Sequence, residues 1–428
     1  MGRATDMHTN LATVAMRTPE GTGMKRFGKS LSFWKIVAGI ILSAGAYVTY
    51  IRVTQGLGAT THLSDQFPWG LWIGFDILCG VGLAAGGFTL AAIVHIFNIK
   101  RFEPILRPSI LTAFLGYVLV IVGLLYDLGR PFQIWHALIM WNPHSVMFEV
   151  AWCVMLYTTV LSLEFSPVVL EKFKLTKTLR VVKRVMPPLI IVGVLLSTLH
   201  QSSLGSLYLI VPEKLYALWY TPYLPVFFYF SAIAAGCAMV IFESILSGRR
   251  FKKGLELPLL AEISRIAVLM LAVYLTMKAV DLVNRGAVPL LFVPRMETYL
   301  YWLEIAVGVA APLAVFGIPR LRQSRNGLFL GSVLIILGFI LNRMNISITG
   351  MEAWAGVSYF PSWMEITVTM AIVTAGFIIF TMAARYLPLF KHEHEAEAPK
   401  AVLDMSEDLR LVSAPNSAEN SDAIYSIE

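Results

Sequence analysis

Charge is scarce in this sequence. Of its 428 residues only 14% are Asp, Glu, Lys or Arg, where a soluble domain carries roughly a quarter, so a water-soluble globular protein is excluded. Cysteine is scarcer still: Cys79, Cys153 and Cys237 lie far apart inside apolar runs. None forms CxxC or CxxCH, so no iron–sulfur cluster or covalent haem is expected on this chain, and the three read as buried packing thiols. HExxH and HxxxH spacings are missing too, and no metal site is expected. A b-type haem needs two histidines facing each other at one depth. His95 and His200 fall near opposite ends of their runs, and His62, His136 and His144 fall in loops, so no haem is expected either. The first 30 residues are polar and mixed, unlike a cleavable signal.

What the chain has instead is apolar length. Hydrophobic residues make up 57% of it, gathered in runs of about 20, the length that crosses a bilayer. Such runs occur at 34–55, 69–97, 108–128, 145–165, 186–205, 222–247, 257–282, 298–318, 326–345 and 362–386. The fold class is therefore an all-α integral membrane protein with about ten transmembrane helices. Residues 1–33 read as a cytoplasmic segment, 34–68 as the first span and its loop, and 391–428, acidic and poor in large apolar residues, as a disordered cytoplasmic tail.

Basic residues set the orientation. The N-terminal segment, the turns around Lys100/Arg101/Arg107, Lys172 to Arg184, RRFKK and Arg320/Arg322/Arg325, and the C-terminal end hold most of the 34 Lys and Arg residues. Positive loops stay in the cytoplasm, so both termini are expected inside. The net charge of +7 then reflects topology and not nucleic-acid binding. The opposite loops, such as DLGRPFQIWHALIMWNPHS and NRGAVPLLFVPRMETY, are rich in Trp, Tyr and Pro. Membrane-interface aromatics account for part of this; a docking surface for a protein partner accounts for the rest.

The chain also repeats itself. Phe75 to Arg130 has the layout of Phe230 to Arg285: a small-residue span (CGVGLAAGG; AIAAGCAM), a basic turn, and a return ending in YDLGR or VDLVNR. Glu149 then corresponds to Glu304, and His200 to Asn342-Arg343. This predicts two four-helix bundles in a parallel repeat, over 69–210 and 222–350, with the first span and the tenth (362–390) added outside them.

Ionisable residues inside a membrane cost at least about 2.5–3.5 kcal/mol each on insertion scales, so each needs a reason. Most lie in the outer half: Asp76, Asp127, Glu149, His200, Lys278, Asp281, Glu304 and Arg343. Lys278/Asp281 and Glu262/Arg265 are three apart and can neutralise each other. Asp127 and Arg130 can brace the end of the third span. Glu164 and Glu243 can reach water at the cytoplasmic ends. Glu149 and Glu304 have no nearby cation in sequence, which suits a proton carrier. The string Glu149, Glu262, Lys278, Asp281 and Glu304 is read as a proton path across the membrane.

Four stretches in order, WGLWIGFDILCGVGLAAGGFTL, YDLGRPFQIWHALIMWNPHSVMFEV, STLHQSSLGSLYL and LNRMNISITGMEAWAGVSYFPSW, resemble the NrfD/polysulfide-reductase membrane-subunit family. The likeness spans residues 30–390 and is nearest to the ten-span HybB-type membrane (so-called cytochrome b) subunits of periplasmic NiFe hydrogenases. It implies a quinone-reactive subunit of the bacterial inner membrane with no haem or cluster of its own. Its partners would be a periplasmic ferredoxin-like iron–sulfur subunit and, through it, hydrogenase large and small subunits. The quinone, menaquinone, would meet Trp69, Trp72, Asp76, Asp127, Arg130, His200 and Gln201 at the outer end of the first bundle. A molybdopterin or multihaem donor complex remains open within the family. Outside it, so do a proton-coupled secondary transporter and a passive anchor.

Overall fold

The computed structural model describes residues 33–251 and 257–389. The expected N-terminal segment, the disordered tail and the centre of the basic turn at 252–256 fall outside these. Ten long helices run through the described residues, and no strand occurs among them. They are α1 (Phe33–Gln55), α2 (Trp72–Ile96), α3 (Lys100–Asp127), α4 (Val146–Lys172), α5 (Thr176–Ser206), α6 (Leu224–Phe251), α7 (Leu257–Asn284), α8 (Met296–Gly317), α9 (Arg325–Ala355) and α10 (Trp363–Tyr386). Nine are long and apolar enough to cross a membrane. The exception, α5, is 31 residues long, about 46 Å at 1.5 Å per residue, but begins with basic turns and ends in the polar STLHQSSLGS.

Local chemistry sets the helix starts. Ser145 and Ser324 accept backbone N–H bonds at the heads of α4 and α9. Ser362 and Glu365 form a reciprocal capping box at the head of α10. Some boundaries differ from the sequence reading. α3 begins eight residues early, where Pro104 fits a first helical turn, and α5 ten residues early through TKTLRVVKRV. α9 does not stop at 345. A π-helical turn at Asn345–Thr349 carries it to Ala355, so nearly two thirds of the expected loop MNISITGMEAWAGVSYFPS is helix.

The face carrying the α1–α2 and α3–α4 loops is called outer below, after the charge pattern. α4 packs along α5, α6 along α7 and α9, and α1 along α10. α2 lies at the centre and touches both bundles: Gly74 meets Ser347 and Gly82 meets Phe339 on the α9 side. The small-residue spans that head the two repeats pack on each other. A Cβ on Gly86 would stand 2.9 Å from the Gly236 carbonyl oxygen, so only glycine permits this approach. A tryptophan near the head of α4 and one near the head of α8 each tie the helix to the loop before it: Trp152 Nε1 donates to Ala137 O (2.9 Å) and Trp302 Nε1 to Leu291 O (3.0 Å).

Candidate functional site

The ionisable residues gather into three groups, two around the first bundle and one in the second. The first lies where α2 and α3 face α1 and α10. Asp76 sits in a π-helical segment, Trp72–Cys79, a geometry over-represented at functional sites. Gly123 lets α3 close on it, since a Cβ there would stand 2.9 Å from Asp76 Cβ. Thr369 Oγ1 donates to Asp76 Oδ2 (2.7 Å), and Trp72 Nε1 donates to the Glu365 carbonyl (3.2 Å). Trp72 and Tyr126 rings lie 5.8 Å apart. Asp127 closes α3, and its Oδ1 is buried with no hydrogen-bond partner.

Arg130 does not brace Asp127. It is exposed, with φ −126° and ψ 74°, because the residue before a proline is driven out of helical geometry. Arg52 of α1 lies nearer in function: it donates to the carbonyls of Tyr126 (2.8 Å) and Leu128 (2.6 Å) and so pins the end of α3. In the second repeat VDLVNR stays helical through Asn284, and there the brace forms, Arg285 to Asp281 at 2.8 Å.

The second group lies on the other side of α2–α3, inside the first bundle. His200 is 0% exposed. Its Nδ1 meets Tyr117 OH at 2.8 Å, while its Nε2 is buried without a partner. Gln201 Nε2 donates to Val81 O (3.0 Å). Ser203 Oγ donates to Glu149 Oε1 (2.5 Å), although Glu149 itself is exposed on the outer rim. Trp69 stands edge-on to Tyr208, with ring centroids 5.5 Å apart.

The third group fills the outer half of the second bundle. Glu304 accepts from Lys278 Nζ (2.8 Å), Asn342 Nδ2 (2.8 Å), Asn345 Nδ2 (3.0 Å) and Trp219 Nε1 (2.9 Å). Lys278 therefore pairs with Glu304 across helices and not with Asp281, which takes Arg285 and Thr221 instead. Beside them Arg343 is buried between the rings of Phe228 and Phe339, 3.6 and 4.4 Å from the centroids. Glu262 is far from this group. It pairs with Arg101 at the inner rim (2.7 Å), not with Arg265. Ile263, Ala267, Leu271, Phe316 and Ile335 belong to one buried apolar cluster that fills the inner half of the second bundle.

Sequence reading missed Arg52, Tyr117, Thr369 and a clamp on the outer loops. Tyr359 OH donates to Glu365 Oε2 and accepts from Leu71 N, and His62 N donates to Glu365 Oε1. Burial, and then the hydrogen bond to Glu365, push the Tyr359 hydroxyl above its ordinary range. The capping signature S-x-x-E at 362–365 was the one available cue.

These features define a class: a polytopic helical membrane protein with buried carboxylates and an unpartnered histidine nitrogen at one end of an internally repeated bundle. The family model "Polysulphide reductase, NrfD" matches residues 59–355, and the chain belongs to that family. A protein of Nitratidesulfovibrio vulgaris described simply as "Protein" is 40% identical over 85% of this chain and 96% of its own length. The "Probable Ni/Fe-hydrogenase 2 b-type cytochrome subunit" of Escherichia coli is 31% identical over 87% of this chain and 98% of its own. The "Menaquinone reductase, integral membrane subunit" of N. vulgaris is 28% identical over 91% and 99%. The chain is thus similar to membrane subunits of oxidoreductase complexes along nearly its whole length.

Proposed function

We propose that this chain is the quinone-reactive subunit of a respiratory complex in the bacterial inner membrane, with both termini cytoplasmic. It passes electrons from a periplasmic ferredoxin-like iron–sulfur partner, fed by a NiFe hydrogenase, to menaquinone. The relatives' printed names, one a hydrogenase subunit and one a menaquinone reductase subunit, support donor and acceptor.

One observation carries the site assignment. The two bundles are repeats, yet their outer ends are finished differently. In the second, Asp281 has its arginine and Glu304 has four donors. In the first, the equivalent Asp127 has lost its brace, and Asp127 Oδ1 and His200 Nε2 are buried without partners. Arg343 Nε in the second bundle is unpartnered too, but the rest of that guanidinium donates to Asn342, Ser231 and the Phe228 carbonyl. Buried polar atoms are normally paired, and an orphan calls for a ligand or catalytic role. A quinone taking up two electrons and two protons needs flat apolar walls, a donor for its carbonyl oxygen and a proton source for each. Trp69 supplies a wall on the side of α2–α3 inside the first bundle, where His200, beside Gln201, donates through Nε2 to one quinone oxygen. Trp72, Asp76 and Asp127 face α1 and α10 on the other side of α2–α3, so they act on that ring from behind as a proton reserve, with Arg130 at the entrance. A bis-histidine haem is no part of this reading, since His95 is exposed at the opposite end of α2 from His200.

Proton translocation belongs to the same proposal, with Glu149, Lys278, Asp281 and Glu304 handling charge in the outer half. The wider route to Glu262 has the apolar inner half of the second bundle in its way.

The test is quinone-analogue binding and quinone reduction by the purified complex. His200→Ala and Asp127→Asn should each lower kcat by about 100-fold or more, the usual share of a positioned proton donor, with partner assembly intact. Full activity in both variants, or an analogue bound at the inner face, sinks the assignment.

A further inference from the structure

Arg343 carries a charge that no carboxylate on this chain balances. It is 1% exposed in the outer half of the second bundle. A buried carboxylate can shed its charge by taking up a proton. That escape is open to Glu164 and Glu243, which were expected to reach cytoplasmic water but are buried, at 8% and 9% exposed. A guanidinium has no such escape, because it stays protonated in proteins. Buried charges are therefore paired, yet among the described residues no carboxylate forms an ion pair with Arg343. The rings of Phe228 and Phe339 offset part of the cost. Its Nη atoms donate to Asn342 Oδ1 (2.6 Å), Ser231 Oγ (2.9 Å) and Phe228 O (3.2 Å). Its Nε is buried with no acceptor, and such an orphan calls for a ligand.

A small cleft adjoins it under the loop between α5 and α6. Arg343, Lys278, Tyr274, Asn342, Asp281 and Arg285 line it. Its donors outnumber its free acceptors. Lys278 Nζ donates to Glu304 (2.8 Å) and Tyr274 OH (3.1 Å), which uses two of its three hydrogens. Tyr274 OH accepts from Lys278 and, at 3.5 Å, from Asn342 Nδ2. Its own proton has no acceptor among the described residues. The acceptors are the reverse: Asp281 takes Thr221 and Arg285, and Asn342 Oδ1 takes Arg343. Hydrogens left over on Arg343, Tyr274 and Lys278, with every acceptor engaged, select an anion and not a cation.

Charge and size narrow the choice. Glu304 matches Lys278 and Asp281 matches Arg285, which leaves the single positive charge of Arg343. One negative charge balances it, whereas a dianion such as sulfate overshoots. The space for a guest is close to that of one water molecule, too small for a quinone ring or a polyatomic oxyanion. Arg285, the half-buried member of the lining, stands at the outer end of α7, so the ion enters from the outer face.

We infer that this cleft binds one small monovalent anion of the chloride class, held by Arg343, Tyr274 and Lys278. The ion completes the charge balance of the second bundle, and the assignment does not depend on the quinone site of the first.

The test uses the purified whole complex in detergent, exchanged into sodium gluconate and dialysed to equilibrium against radiolabelled chloride. Wild type should bind chloride saturably, bromide should displace it, and sulfate should not. Arg343→Gln should remove one chloride per complex. Tyr274→Phe should weaken that site by about tenfold, the usual share of one hydrogen bond to a charged group. Equal chloride stoichiometry in wild type and an assembled Arg343→Gln complex overturns the site. So does a wild type that binds no saturable chloride, in which case the rings and neutral acceptors alone hold the guanidinium. Displacement by sulfate as readily as by bromide marks a surface attraction and overturns it too. If Arg343→Gln does not assemble, Tyr274→Phe decides, and chloride affinity unchanged from wild type overturns the proposal. None of these results bears on quinone reduction, so the two readings fail separately.

Discussion

Lys278 and Glu304 illustrate how much a buried charge depends on its partner. Neither is accessible, and they meet at 2.8 Å among Asn342, Asn345 and Trp219. Removing one member leaves the other uncompensated, typically a loss of about 3–5 kcal/mol, whereas removing both is often close to neutral. Lys278→Met should therefore lower the thermal midpoint of the solubilised protein far more than Lys278→Met/Glu304→Gln. Equal losses would mean the two do not act as a pair. The Tyr359 clamp gives a milder case. Tyr359→Phe leaves the buried Glu365 and Leu71 N short of a bond and should cost about 1–3 kcal/mol, read as earlier proteolysis of the loops before α2 and α10. At this scale the sequence showed Asp76, Glu304 and His200 plainly, because a polar letter in an apolar run stands out. Tyr117, Arg52 and Thr369 stayed hidden. Their letters are ordinary at membrane depth or at a helix end, and they acquire partners only when α3 meets α5, α1 meets α3 and α10 meets α2.

Helices carry the next layer of information. The repeat could be read from spans rich in small residues, and their role is contact: α2 and α6 touch through Gly86 and Gly236. Gly236→Ala would bring a Cβ to 2.5 Å from Gly86 N, a clash with backbone that cannot swing aside. Overpacking of this kind costs about 1–3 kcal/mol, and the variant should assemble poorly. Gly317→Ala, with nothing within 4 Å of its added methyl, should behave as wild type. Wild-type yield and thermal midpoint for Gly236→Ala would show that the bundles do not rely on this approach. Helix ends were less legible than helices. Hydropathy stops where polar residues begin, but the backbone of α5 and α9 continues through them, because STLHQSSLGS and NISIT still satisfy helical hydrogen bonds. That continuation is what turns His200, Gln201 and Asn345 inward. The Asp–Arg pair was misread for a related reason. Spacings of three and four would both share a helical face, but α3 ends at Asp127 and leaves Arg130 off the helix, whereas α7 continues to Asn284 and holds Arg285 beside Asp281.

Across the whole molecule, two asymmetries bear on function. One runs between repeats: the carboxylates Asp281 and Glu304 of the second bundle have cationic partners, while Asp127 and His200 of the first each keep an orphaned atom. The other runs between faces. The outer loops expose Phe132 (83%), Trp141 (63%) and Phe292 (77%), while basic turns dominate the opposite side. Side chains this apolar need a cover, and a partner protein on the outer face would bury the first bundle's mouth with them. Thiol labelling checks both points, since Cys79, Cys153 and Cys237 are all buried and give little background. Gly129→Cys lies in the α3–α4 loop with open space around it, and Gln323→Cys is exposed in the α8–α9 turn. In intact cells an impermeant maleimide should label the first and not the second, and permeabilisation should expose the second. Labelling at residue 129 should also be strong on the isolated subunit and suppressed in the assembled complex. The reverse labelling pattern would invert the topology. Equal labelling of free and assembled chains at 129 would move the partner, and with it the electron entry point, away from the Asp127–His200 end of the first bundle.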